Sequence, residues 1–414
     1  MTERVLVIGA GIVGVCAGLS LIGAGYEVLL VGRELPGGGA SRWNAGVLST
    51  SSIAPLNGPG IARRAPALLL GRSPGFRLAP SAALRATIWG PRFVHASRPR
   101  TYAATVAALD GLIRLSIGEH RRMLREAGAS ALLSDAGWLV LYETEAEFAA
   151  AAALRATLAQ HGVAFEVRDA DGLAELEPHL DRRFARAVWM TGSAAAAEPG
   201  AVLAAYLERF RGLGGVTERV EVERIDGGAR PLVAFADGRG VTADHVVIAA
   251  GAWSARLLAT LGLRLPMMSE RGYVRRFALA EGAALNRPVH DVAGGLVLSP
   301  RPDGVQLSTG TELTLPGLPG LDAQREAAAR RAAEVLPLGS ALAGSDAEGD
   351  RPTLPDSRPA IGRLNRGASI WLCCGHQHIG FSTSAGSAAL LAALMQGRAP
   401  PIDPAPFSPA RFGL

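Results

Sequence analysis

Residues 4–34 read RVLVIGAGIVGVCAGLSLIGAGYEVLLVGRE, and the fold is decided there. The apolar run Val5 to Ile8 meets Gly9-Ala10-Gly11-Ile12-Val13-Gly14, a small-residue segment follows, and a second apolar run spans Val28 to Val31. That order predicts strand, glycine turn, helix and strand. Gly9 makes the tight turn, Gly11 lets a diphosphate approach the backbone, and Gly14 brings helix and strand together. The helix start then offers free N–H groups and a positive dipole end to an anion. Such a unit normally closes with an acid that holds the adenosine ribose, but here the strand tip is Gly32-Arg33-Glu34. The expectation is that Glu34, or backbone near Gly32, has taken over that contact, with Arg33 free to stack on an adenine. An acid restored at position 32 should then leave nucleotide affinity equal or modestly higher.

The same stretch has 22 uncharged residues, Val5 to Tyr26, enough for a membrane span. Its six glycines fall where a strand-turn-helix needs them, whereas a signal peptide would want basic residues first and a small-residue cleavage site. A cytoplasmic location, peripheral to the membrane at most, is the expectation. The 414 residues are 49% hydrophobic, with 51 glycines and 26 prolines spread along the chain, which suits a large globular enzyme rather than a low-complexity one. All 42 basic residues are arginine, so a lysine Schiff base is excluded. A net charge of +5 with no basic cluster among aromatics argues against nucleic acid. Cys16, Cys373 and Cys374 are an odd number of thiols, which points to a reducing compartment without a disulfide framework; Cys373-Cys374 has no metal-ligand spacing and is expected to be a pair of buried strand cysteines, with no metal.

Farther along, residues from about Pro66 to Arg125 read as helical, GWLVLYET as a strand, and EAEFAAAAALRATLAQHG as one helix. The helix PGAVLAAYLERFRGLGG leads into three strand-like runs, VTERVEVERI, PLVAFADG and ADHVVIAAG. GYVRRFALA, GGLVLSP and GVQLSTGTEL read as strands of a separate antiparallel sheet, followed by the helix DAQREAAARRAAEVL. The chain ends with RPTLPDSRPAIG, the strand SIWLCCG and another strand-turn-helix, HQHIGFSTSAGSAALLAALMQG. Glycine turns at both ends and in the middle imply a mixed α/β (α+β) protein. A Rossmann-like nucleotide domain would be assembled from three chain segments and interrupted by a substrate domain with an antiparallel sheet.

Six motifs in order, Gly9 to Gly14, GGASRWNAGVLS, VVIAAGAWS, SERGY, RPTLPDSRPAIG and GHQHIGFSTSAG, resemble the FAD-dependent D-amino-acid oxidase superfamily. The branch they resemble holds bacterial D-amino-acid and D-hydroxyproline dehydrogenases and glycine oxidases. The resemblance implies FAD segments at 1–65, 194–265 and 346–414, and substrate-domain parts at 66–193 and 266–345. It implies that FAD meets Gly9, Ala10, Gly11, Ile12, Val13, Gly14, Arg33 and Glu34. From the second motif it adds Ala40, Ser41, Asn44, Ala45, Gly46, Val47 and Leu48, with backbone N–H groups and a hydroxyl against the diphosphate and flavin. Val222 would meet the adenine, and Ala250, Gly251 and Trp253 would form a third contact. Gly375, His378, Ile379, Gly380, Phe381, Ser382 and Thr383 would bring a helix N-terminus to the flavin pyrimidine ring. Arg351 would bind the substrate carboxylate, Tyr273 would reach over the flavin, and His376 would flank it. The family commonly has an acid at position 32, glycine where Gln377 stands and histidine where Val274 stands.

The activity this resemblance implies is oxidation of a small D-amino or imino acid, with hydride passing from Cα to flavin N5 and electrons going on to a quinone, a protein acceptor or oxygen. The flavin is expected to be bound non-covalently. Two alternatives stay open: a glycine- or sarcosine-type amine oxidase, alone or in a hetero-oligomeric complex, and a flavin-binding subunit without turnover.

Overall fold

The computed structural model describes residues 2–34, 38–63, 76–365 and 369–414. A six-stranded sheet carries the N-terminal unit. Its order is Ala360–Arg363, Ile370–Cys374, His245–Ile248, Arg4–Ile8, Glu27–Gly32 and Val216–Arg219. All neighbours are parallel except the outermost pair, 360–363 with 370–374. Its strands therefore come from three separated parts of the chain. Continuous apolar runs suit a parallel sheet covered on both faces. The helices Ile12–Gly23, Pro199–Gly212 and Gly380–Met395 cover one face, and the long helix Pro99–Glu126 packs across them. The last apolar helix, with the turn before it (Gln377–Met395), is the one described helix long and apolar enough to cross a membrane, and 72% of its apolar window is buried here.

A ten-stranded sheet holds the antiparallel runs. Its longest strand, Met268–Leu279, pairs with Gly304–Thr314 on one side and Ala347–Thr353 on the other. The strand Trp138–Tyr142 joins its far half. Side chains of this sheet hold the loop at Trp43 and Asn44 that follows the N-terminal strand-turn-helix-strand unit. Arg301 Nη2 donates to the Asn44 carbonyl at 2.8 Å, and Gln306 Nε2 donates to the Trp43 carbonyl at 3.0 Å.

Three sequence expectations change in detail. VTERVEVERI is two strands, Val216–Arg219 in the six-stranded sheet and Val222–Asp226 in a separate three-stranded one, because the chain crosses from one sheet to the other at Val220. EAEFAAAAALRATLAQHG is two helices that meet at Ala151. In the stretch read as helical from Pro66, residues 66–75 lie outside the described residues, as does the expected boundary at 65/66; Phe76–Leu78 is a strand and the helices are Ala83–Ala96 and Pro99–Glu126.

Candidate active site

A cavity of about 760 Å³ runs from the carboxyl ends of the parallel strands to the face of the ten-stranded sheet. Open parallel sheets bind ligands at that end. The glycine turn explains why the cavity starts there. Gly9 has φ +122°, and a Cβ on it would lie 2.3 Å from the Ala249 carbonyl oxygen. A Cβ on Gly14 would lie 1.7 Å from the Gly9 carbonyl oxygen, so this glycine closes the turn against the helix. Gly9, Ala10, Gly11, Ile12 and Val13 line the cavity. The Ile12 N–H donates to Ser41 Oγ at 3.0 Å, which leaves the serine hydroxyl hydrogen free for a ligand.

Around this end stand Gly32, Arg33, Glu34, Val220, Val222, Ala250, Gly251 and Trp253. The Arg33 guanidinium lies 3.4 Å from the centre of the Trp253 ring, so its stacking partner is an indole of this chain. A Cβ on Gly32 would sit 2.9 Å from Ala10 Cβ. An acid at 32 would therefore press on the glycine turn at Ala10. Glu34 lines the cavity beside that turn.

The middle of the cavity is a loop laid against a helix start. Ala40, Ser41, Asn44, Ala45 and Val47 line one wall; Ile379, Gly380, Phe381 and Ser382 line the other. Ser382 Oγ donates to the Val47 carbonyl at 3.0 Å and accepts the Ser49 N–H at 3.2 Å, which fixes loop and helix together. Gln377, also on the wall, has φ +52° and is buried. Glycine adopts such a left-handed backbone without cost, whereas Gln377 holds it with a side chain.

At the far end Arg351 stands directly across a strand pair from Glu270. Arg351 Nη1 donates to Glu270 Oε1 at 3.1 Å and to the Gly310 carbonyl at 3.0 Å. Thr353 Oγ1 donates to Glu270 Oε2 at 3.1 Å. Gly272 makes room for the guanidinium: a Cβ there would lie 2.1 Å from Arg351 Nη2. His290 stacks on Trp138, and His378 opens onto the cavity; both line this end. Surrounding protein desolvates both rings and holds their pKa below the usual imidazole value, with Arg351 pushing His378 the same way and Glu270 opposing. His376 is buried, bonds Ser387 through Nε2 at 3.0 Å, and is pushed by burial down to about 3.

Several expected site residues lie elsewhere. Tyr273 is turned into the protein, where its hydroxyl donates to Glu312 and accepts the Leu321 N–H. Burial, then the bond to Glu312, push its hydroxyl up to about 12. Strand alternation accounts for this: Glu270, Gly272 and Val274 face the cavity, so Tyr273 faces away. The Gly46 N–H is taken by Asn44 Oδ1 at 2.8 Å and its carbonyl by the Ala196 N–H, so Gly46 packs behind the wall. Leu48, Gly375 and Thr383 are likewise buried off the cavity, as is Gly14. Sequence reading missed Trp43, Trp138, Val220, Glu270, Gly272 and His290. For Glu270 and Gly272 a signal existed, since both belong to the SERGY motif.

The sequence profile described as DAO, "FAD dependent oxidoreductase", matches residues 4–394. The chain belongs to that family. It is 32% identical over 443 aligned positions to D-amino acid dehydrogenase 2 of Ralstonia nicotianae, covering 99% of this chain and 100% of that one. It is 29% identical over 426 positions to the D-amino-acid oxidase of Bradyrhizobium diazoefficiens, covering 99% of each. The fold is similar to glycine oxidase from Geobacillus kaustophilus, with a TM-score of 0.73, 22% identity and 98% of both chains covered. The chain is an FAD-dependent oxidoreductase, and FAD is its cofactor. The cavity fits that cofactor. A glycine turn without room for Cβ atoms, a helix start with a serine hydroxyl beside it, and a continuous channel from Glu34 to Arg351 match a long diphosphate-bridged ligand.

Proposed function

We propose that this family member oxidises small D-amino or imino acids, and that Arg351 anchors the substrate carboxylate. One observation carries the reading. The Nε–Nη2 edge of Arg351 has no hydrogen-bond partner among the described residues, while Nη1 is held by Glu270 and Gly310. A guanidinium fixed at one corner and open along one edge suits a carboxylate's two oxygens. The D-amino acid substrates named for the relatives support the substrate class.

Bound in this cavity, the flavin supplies the two-electron acceptor for the Cα hydride. The chain's own residues hold it and orient the substrate. Gly9 to Val13 and Ser41 would hold the diphosphate, Val220 and Val222 the adenine end, and Gly380 to Ser382 the flavin, all of them lining the cavity. Arg351 fixes the carboxylate, which sets where Cα lies. Trp43, Trp138, Leu296 and Val297 exclude water around it. The amine must be neutral when hydride leaves, so a substrate bound as the zwitterion first gives up its ammonium proton, for which His378, open to the cavity, offers an imidazole nitrogen. An external electron acceptor then completes the cycle.

The test is anaerobic mixing of the yellow protein with D-proline, D-alanine, glycine and sarcosine. D-Proline or D-alanine should bleach the flavin faster than the other two. Faster bleaching by glycine or sarcosine selects the amine-oxidase reading. A flavin that only a chemical reductant bleaches would sink the proposal.

A further inference from the structure

Arg351 poses a problem for a carboxylate anchor, because it already has a carboxylate. Glu270 Oε1 is 3.1 Å from Nη1, and Glu270 is 3% exposed while Arg351 is 27% exposed. The contact is built in. Glu270 and Arg351 are register partners in adjacent antiparallel strands, and Thr353 on the arginine's own strand holds the second carboxylate oxygen. Both residues line the cavity, so a bound substrate meets a pair of opposite charges rather than an isolated cation. The other acids of this end have different surroundings. Asp350 accepts from Ser269 and the Gly317 N–H and sits beside Arg271, while the Glu348 side chain is 41% exposed.

We propose that Glu270 is a specificity-determining residue: paired with Arg351, it selects ligands that carry an amine beside the carboxylate and turns away plain carboxylates. This rests on Arg351 as the carboxylate anchor. A lone guanidinium would attract any small organic anion. With Glu270 beside it the pair is neutral, and a plain carboxylate on the open edge meets attraction from one partner and repulsion from the other. A zwitterion reverses the second sign. Its carboxylate lies on the Nε–Nη2 edge and its ammonium lies toward Glu270, so opposite charges alternate. The burial of Glu270 keeps this effect from being screened away by salt. Substrate class is then set before chemistry, by binding.

Two probes of matching skeleton test this on the oxidised holoenzyme: 2-aminoisobutyrate, which has no Cα hydrogen to lose, and isobutyrate, which lacks the amine. Their dissociation constants are read from the shift of the flavin absorption band on binding. The intact protein should prefer the zwitterion by about tenfold or more, and Glu270→Gln should reverse or abolish that preference by tightening isobutyrate and weakening 2-aminoisobutyrate. Equal binding of the two probes by the intact protein overturns the proposal, whether or not the variant folds. So does an unchanged ratio in Glu270→Gln. Arg351→Gln separates the underlying reading: if it still binds both probes as before, the anchor itself is misassigned.

Discussion

The two ends of the cavity are built in different ways. At the nucleotide end the lining is largely backbone, a glycine turn, a helix start and strand tips, with Arg33, Glu34 and Ser41 among the polar side chains beside them. At the substrate end it comes from side chains brought together by strand pairing, Arg351 with Glu270 and Trp138 with His290. All three imidazoles that line the cavity, His290, His376 and His378, stand at or beside the substrate end. A backbone site accepts few substitutions because its geometry is the binding group. A side-chain site can be altered one group at a time while the fold stays intact.

Substitutions test that division, starting with the most damaging. Gly9→Ala places a methyl group 2.3 Å from the Ala249 carbonyl at a φ that alanine avoids. It should cost more than about 3 kcal/mol and leave protein that purifies without yellow colour. Flavin content at the normal level would show the turn to be more compliant than a backbone site should be. Arg351→Ala should retain FAD and lose about 2–4 kcal/mol of substrate binding, read as the concentration needed for half-maximal flavin bleaching. Reduction at the concentrations that serve the intact protein would refute the carboxylate role.

Acid probes the imidazoles. The His376 pKa is about 3 in the folded protein against 6.5 ordinarily, so the unfolded chain binds the extra proton. Its contribution to stability is complete above pH 6.5 and is lost as pH falls from there toward 3, at about 1.4 kcal/mol per pH unit. Melting temperature should drop through this range, and more gently in His376→Asn, which removes the proton and can still meet Ser387. Identical slopes would mean that His376 is not held neutral. The mildest effect belongs to Glu34→Ala, which should weaken FAD by about tenfold if the carboxylate holds the ribose. Unchanged affinity would hand that role to backbone. Gly32→Asp should weaken FAD as well, since its Cβ would press on Ala10.

The nucleotide end was legible in sequence because its requirements are local. Gly9 to Gly14 between two apolar runs fixes turn, helix and strands within 31 residues, 4–34. The substrate end is not local. That Glu270 faces Arg351 depends on a register between strands 81 residues apart, which no motif encodes. The side-chain parity of SERGY was readable, though. With Glu270 or Gly272 placed in the cavity, two-residue alternation turns Tyr273 away. Arg33 was placed at the right end, but its indole partner lies 220 positions further on, at Trp253, beyond any local rule. The break in VTERVEVERI was hidden because both halves are good strand sequence, and only the edge of the parallel sheet decides where the first one stops.

The parallel sheet also sets a timetable. Strand Arg4–Ile8 lies between Glu27–Gly32 and His245–Ile248, and the Arg4 N–H bonds Asp244 across a separation of 240 residues. A ribosome releases the glycine turn early, yet the wall that Gly9 presses against, Ala249, emerges far later. The strand Ile370–Cys374 and the helix after it come later still. Until Val216–Arg219 is made the first unit is a two-stranded fragment, and until His245–Ile248 follows the edge of Arg4–Ile8 stays unpaired, which makes a poor nucleotide trap and an open target for wrong pairing. The complete cofactor cavity therefore exists only once the last strand and the helix start after it, out to Ser382, have been made.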